Sequence, residues 1–192
     1  MFRRKGYYDT SMADLSAACG IRNAHFYYYF KNKEALMAEV LRSVQQFTAE
    51  RLQRYAHDES RPPRERLARI TRFFERLYAH ATDPPDATAS PPAVSTGGAA
   101  STGAVAGGCI MANTTLETAS VPGEFTPVLK TFFETWVAAL QHLYRTKYPE
   151  AEALELAEAT VQDIEGGLML MKLYRDKKYL LNALKRSEKR LD

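Results

Sequence analysis

Cysteine is scarce in this 192-residue chain: Cys19 and Cys109 are the only two, in different parts of the sequence, so no disulfide framework is expected. Histidine is nearly as rare, and no Cys/His cluster has the spacing of a zinc site, which leaves no metal to expect. No stretch approaches the ~18 uninterrupted apolar residues of a membrane helix, and no signal peptide opens the chain. A cytoplasmic protein without a membrane partner is the expectation. Catalytic hardware is absent too: there is no nucleophile with its base, no phosphate loop and no metal set, so neither an enzyme nor a cofactor is predicted. No alternating strand pattern or internal repeat occurs.

What is present is helical. Hydrophobic residues make up 45% of the chain, enough for a small domain beside a larger one with a real core. Net charge is only +3, but it is unevenly spread: residues 1 to 80 hold 15 Lys/Arg against 9 Asp/Glu, and residues 81 to 192 hold 11 against 14. A basic head on a mildly acidic body suits phosphate on one side only. Many of those arginines, Arg61 to Arg76, lie along one later helix and read equally well as a solvated face.

The most informative stretch runs from Gly6 to Leu36. Thr10 and Ser11 precede an apolar run, with Asp14 placed to complete a capping box on Ser11. Met12, Leu15, Ala18 and Cys19 follow at helical spacing as an inward stripe, Gly20 ends the helix, and Ile21 is expected to plug the turn. A second short helix begins near Arg22 or Asn23 and reaches about Phe30, with Phe26, Tyr27 and Phe30 directed inward. Two short helices joined by a glycine turn form a helix-turn-helix, whose second helix fits the major groove and meets base edges with its first residues.

In order and spacing, Gly6-Tyr7, Thr10-Ser11, Asp14-Leu15, Cys19-Gly20-Ile21, Phe26-Tyr27, Phe30 and Lys33-Glu34-Ala35-Leu36 make this stretch resemble the DNA-binding domain of the TetR/AcrR family of transcriptional repressors. The resemblance is strong over about 50 residues. It implies an all-α protein: an N-terminal helix-turn-helix domain over 1–45, and a larger helical ligand-binding and dimerisation domain over 46–192. Its implied DNA face comprises Arg22, Asn23, Ala24, His25, Tyr27, Tyr28, Lys31 and Lys33, with Tyr27 and Lys33 on phosphates and Asn23 to His25 and Tyr28 nearest the bases. Three departures stand out. Arg22 replaces a frequent serine; Ala24-His25 replace a frequent Gly-Thr, so the operator should differ; and Met1 alone precedes the Phe2 to Tyr7 element, where the family places a full first helix, so a truncated first helix is expected.

Past the head, periodicity predicts helices over Lys33 to about His57, from Pro62-Pro63 to about Ala81, over Cys109 to Ala119, Phe125 to Arg145, from Pro149 to about Tyr174, and over Asp176 to Lys189. Residues 83–108 are rich in Pro, Ala, Ser, Thr and Gly, and carry no charge from Ala87 onward; they read as a flexible segment or a lid over a pocket. The body resembles a subgroup of the family with a Gly-Cys-Leu-x-x-Asn-like element, here Gly108 to Asn113, and a late Glu-Gly element, here Glu165-Gly166-Gly167. Both glycines are expected at a homodimer interface. The implied ligand pocket draws on Phe74, Tyr78, Cys109, Met111, Phe133, Trp136, His142, Met169 and Tyr174, with Cys109 near a helix start as a possible low-pKa thiol. Function then reads as a ligand-responsive repressor released from a double-stranded operator by a small hydrophobic or electrophilic effector. The alternative is a sensor of the same fold that no longer binds DNA.

Overall fold

The computed structural model describes residues 1–79, 108–118 and 123–192, and among these all regular structure is α-helical. A short helix α1 (Phe2–Lys5) leads into α2 (Met12–Cys19) and α3 (Asn23–Tyr29). A long helix α4 (Lys33–Ala56) follows, then α5 (Pro63–Ala79), α6 (Ile110–Thr118), α7 (Thr126–Tyr144), α8 (Glu150–Tyr174) and α9 (Lys178–Lys189). The expected flexible segment lies outside the described residues except for Gly108. No helix among the described residues is long and apolar enough to cross a membrane.

Local signals set the head. Ser11 accepts from the Asp14 N–H while the Asp14 carboxylate accepts from the Ser11 N–H, completing the capping box. Gly20 takes φ 65°, and the N–H groups of Gly20 and Ile21 turn back to the carbonyls of Ala17 and Ser16. That left-handed step is open to glycine and strained for other residues. The inward stripe is shorter than its periodicity suggests: Met12 and Leu15 are buried, but Ala18 and Cys19 are exposed, because no described element lies over the last turn of α2. Ile21 is exposed as well rather than plugging the turn, and Tyr27 is exposed while Phe26 and Phe30 are half-buried.

Helix α4 runs without a break through residue 45 and carries the head on its first turns. Its Leu41, Thr48, Leu52 and Ala56 are buried, whereas Phe47 lies at the surface under the Arg51 guanidinium. Within the body, α7 is central, packing on α4 and on α8, and α8 packs on α9. Trp136 and Tyr144 of α7 are fully buried; Trp136 stacks on Phe74 at 4.3 Å, and the Tyr144 hydroxyl bonds Thr160 Oγ1 at 2.9 Å. Completely buried aromatics of this size each remove 150–250 Å² from water, so this seam supplies much of the body's hydrophobic stabilisation.

Gly167 faces α9 of its own chain. A Cβ there would stand 3.0 Å from the Tyr179 carbonyl oxygen and 3.2 Å from Leu180 Cα and Ala183 Cβ, so any side chain would require α9 to give by a few tenths of an ångström. The expectation that Gly167 serves the interface between copies is thereby corrected. Gly166, one residue earlier and turned by about 100°, has nothing within 4 Å of its Cβ position.

Candidate functional site: an exposed helix and a body cavity joined through one short helix

Helix α3 stands out from the head with none of its residues buried. Arg22, Asn23, Ala24, His25, Tyr27 and Lys31 are all exposed, and Tyr28, in edge contact with Tyr29, is 81% exposed. A seven-residue helix leaving this much aromatic and polar surface uncovered has surrendered packing stability for a free face. Seven of the eight residues assigned to DNA thus share one open surface. Lys33 differs: its Nζ donates to the carbonyls of Tyr7 at 2.8 Å and Tyr8 at 3.2 Å, and sits 4.4 Å from the Tyr7 ring centre. It ties α4 to the turn before α2 and holds the head's shape.

The same turn is gripped from the body. Glu117, near the end of α6, accepts from the Tyr7 N–H at 2.7 Å, and Gly6 makes room for it: φ there is 84°, and a Cβ would fall 2.5 Å from the Glu117 carboxylate. The Tyr7 ring meets Phe125 edge-on at 5.0 Å, while Arg3 donates through Nε and Nη2 to the Gly108 carbonyl just ahead of α6. Head and body therefore meet at α6, through hydrogen bonds to main-chain groups whose geometry is narrow.

The other flank of α6 lines a cavity of about 470 Å³, within the size range of small-molecule sites. Gly108, Cys109, Ala112 and Asn113 form one wall; Glu165, Gly166, Leu168 and Met169 of α8 form the facing one, and Phe133 of α7 closes an end. Both short elements singled out in the body sequence, Gly108 to Asn113 and Glu165-Gly166, thus converge on one space. Of the nine proposed ligand residues, Cys109, Phe133 and Met169 line it. Phe74, Met111 and Trp136 lie behind it in the core, and Tyr78 is buried beside Cys109. His142 is a correction: it sits nine residues beyond Phe133, about 13 Å along α7, against His57 at a ring separation of 4.0 Å. Burial, then His57, holds its imidazole below the usual range. Tyr174 is another, being exposed at the end of α8 and stacked on Tyr179.

Cys109 is the inert, buried cysteine rather than the reactive thiol that its place at a helix start also suggested. Cys109 is buried, and burial, followed by the nearby Glu165, pushes its thiol well above the ordinary range; the hydrogen bond from the Ala112 N–H opposes this and loses. A protonated, enclosed thiol is a poor nucleophile. Glu165 is the group that sequence reading left out of the pocket. Burial raises its carboxyl to about 7, a hydrogen bond with Cys109 partly offsets that, and its Oε1 is buried with no hydrogen-bond partner. The available signal was one carboxylate beside the apolar stripe Val161, Ile164, Leu168 and Met171.

This architecture, a helix-turn-helix head on an all-helical body with a partly open cavity, is that of a DNA-binding transcriptional regulator. Known proteins agree. A model of "Bacterial regulatory proteins, tetR family" matches residues 1–40, and one of "Transcriptional regulator LmrA/YxaF-like, C-terminal domain" matches residues 97–186. No curated protein matches significantly. Among solved structures, a TetR transcriptional regulator from Legionella pneumophila is similar at 22% identity and TM-score 0.78, over 98% of this chain and 89% of that one. Regulatory protein TetR from Rhodobacter sphaeroides is similar at 22% identity and TM-score 0.77, over 98% and 92%. The reduced form of NemR from E. coli is similar at 16% identity and TM-score 0.71, over 98% and 89%. At these identities the structural likeness carries the fold. The two sequence models carry the family: the chain belongs to the TetR/AcrR family of transcriptional regulators.

Proposed function

We propose that the protein is a cytoplasmic, ligand-responsive repressor: a homodimer that holds two α3 helices on a double-stranded DNA operator and releases it when a small hydrophobic molecule enters the body cavity. The observation that carries this reading is the double duty of α6. One flank forms a wall of the cavity, and Glu117 near its end holds the Tyr7 main chain on which the head is hung. A ligand that shifts α6 acts on the head through that bond. It need favour the DNA-incompetent arrangement by only ~1 to 3 kcal/mol to change operator affinity 5- to 150-fold. The buried thiol favours a non-covalent hydrophobic effector over an electrophile.

Homodimerisation is read from α8, where Gln162, Gly166, Met169 and Leu173 form one open stripe, with Met169 60% and Leu173 69% exposed. The DNA-contact roles are tested with duplexes enriched from a random pool, bound by the full chain and followed by fluorescence anisotropy. Lys31→Ala should weaken all duplexes alike, several-fold, and lower the salt slope by about one, as loss of a phosphate contact does. His25→Ala should instead change which duplex is preferred, by ~1 to 3 kcal/mol at the affected base pair. Identical behaviour of the two variants on every duplex would overturn the roles. Absence of any duplex binding at low salt would leave the sensor without DNA.

A further inference from the structure

Among the described residues, Glu165 is the one carboxylate in a largely apolar cavity wall whose other polar members are Asn113, Thr115 and, at the exposed end, Lys172. We infer that Glu165 makes the cavity selective for a hydrophobic organic cation, an amine whose apolar body lies between α6 and α8 and whose ammonium meets the Glu165 carboxylate. This deepens the effector reading above and rests on it. Ala112, Leu116, Phe133, Leu168 and Met169 supply most of the apolar part of the cavity surface, which suits a hydrocarbon or aromatic body. Glu165 Oε1 is buried without a hydrogen-bond partner, an arrangement that is costly unless something supplies a donor.

The surroundings favour a cation over a neutral donor. A hydrogen bond with Cys109 offsets only part of the effect of burial on the carboxyl, and its Oε1 keeps no partner among the described residues. Titratable or charged groups around the carboxyl are Cys109 ahead of α6 and Tyr78 of α5. Lys172 is exposed at the rim on α8, and Arg3 is engaged with the Gly108 carbonyl and the Tyr78 ring. Cys109 and Tyr78 are held neutral by burial, so neither neutralises a carboxylate. An ammonium brought into this low-dielectric space supplies charge and donor together, and a buried carboxylate gains most from such a partner.

Calorimetric titration of the full chain with 4-phenylbutylammonium and with the near-isosteric neutral pentylbenzene tests this, with Trp136 fluorescence as a second signal and no DNA present. At pH 8 the cation should bind at least tenfold more tightly than the hydrocarbon. In Glu165→Gln the preference should fall to within about threefold. Cation affinity should also rise from pH 6 to pH 8, because the carboxyl ionises near 7 while an alkylamine stays protonated, and that rise should be absent in Glu165→Gln. Equal binding of the two probes, a cation preference that survives Glu165→Gln, or no binding of either would overturn the inference. Selective cation binding with no change in operator occupancy would uphold it while removing the operator-release reading.

Discussion

Replacing Gly167 by leucine should destabilise the fold by up to about 2 kcal/mol, whereas the same change at its neighbour Gly166 should leave the fold intact and weaken association. The contrast follows from geometry. At Gly167 the first added carbon stands 3.0 Å from the Tyr179 carbonyl oxygen and 3.2 Å from Leu180 Cα, both main chain, so α9 has to give by a few tenths of an ångström to admit it. Overpacking of this kind costs ~1 to 3 kcal/mol, partly offset by the ~1 kcal/mol that glycine gives up in a helix. At Gly166 nothing lies within 4 Å of the Cβ position, so within the chain the change adds helix propensity and extends a side chain along the cavity wall that Gly166 lines, without a clash at the backbone. If Gly166, Met169 and Leu173 meet a second copy, a leucine there blocks the approach. Thermal unfolding should thus fall by several degrees for Gly167→Leu and hold or rise for Gly166→Leu, while sedimentation should show Gly166→Leu shifted towards monomer. An undisturbed dimer in Gly166→Leu would remove this stripe from the interface.

Replacing Glu165 by glutamine should raise stability at pH 8 and leave it nearly unchanged at pH 5. Burial lifts the carboxyl from the ordinary 4.5 to about 7, so the folded chain binds a proton that the unfolded chain releases between those values. Stability therefore falls as pH rises from about 4.5 through about 7, and above that range the buried charge is a standing cost, up to about 3 kcal/mol at ~1.4 kcal/mol per unit. Glutamine keeps the shape without the charge. Urea unfolding of the two proteins at pH 5 and pH 8 should show curves that coincide at the lower value and separate at the higher. A wild-type stability that rises across that interval with no gain from Glu165→Gln would mean that the carboxyl is solvated. The strained group persists at a cavity wall, which is where cost to the fold is most often tied to binding.

Much of the fold was legible because helix signals are local. The capping box at Ser11, the glycine turn at Gly20 and the proline starts at Pro63 and Pro149 place helix ends within a few residues of those observed. Side-chain direction was less legible. Periodicity groups residues on a face but does not say where covering stops, which is why Ala18 and Cys19 are exposed. The cavity was half visible. Its two walls were marked by Gly108 to Asn113 and Glu165-Gly166, but selecting large aromatics pulled in Phe74 and Trp136, whose size fits them to the core instead. Cys109 misled in the other direction: position at a helix start suggests thiolate, while enclosure, which needs the tertiary structure, decides the outcome. Glu117 carried no signal at all, since its partner is a main-chain N–H far away in sequence.

Sequence-specific recognition of duplex DNA by paired α3 helices is best measured by enrichment from a random-sequence duplex pool on the full chain. The expected result is recovery of a twofold-symmetric site whose half-sites are centred about one helical turn apart or a multiple of it, lost when Asn23, His25 and Tyr28 are together replaced by alanine. Enrichment of unrelated sequences with no common motif, or an unchanged motif in the triple variant, would contradict it.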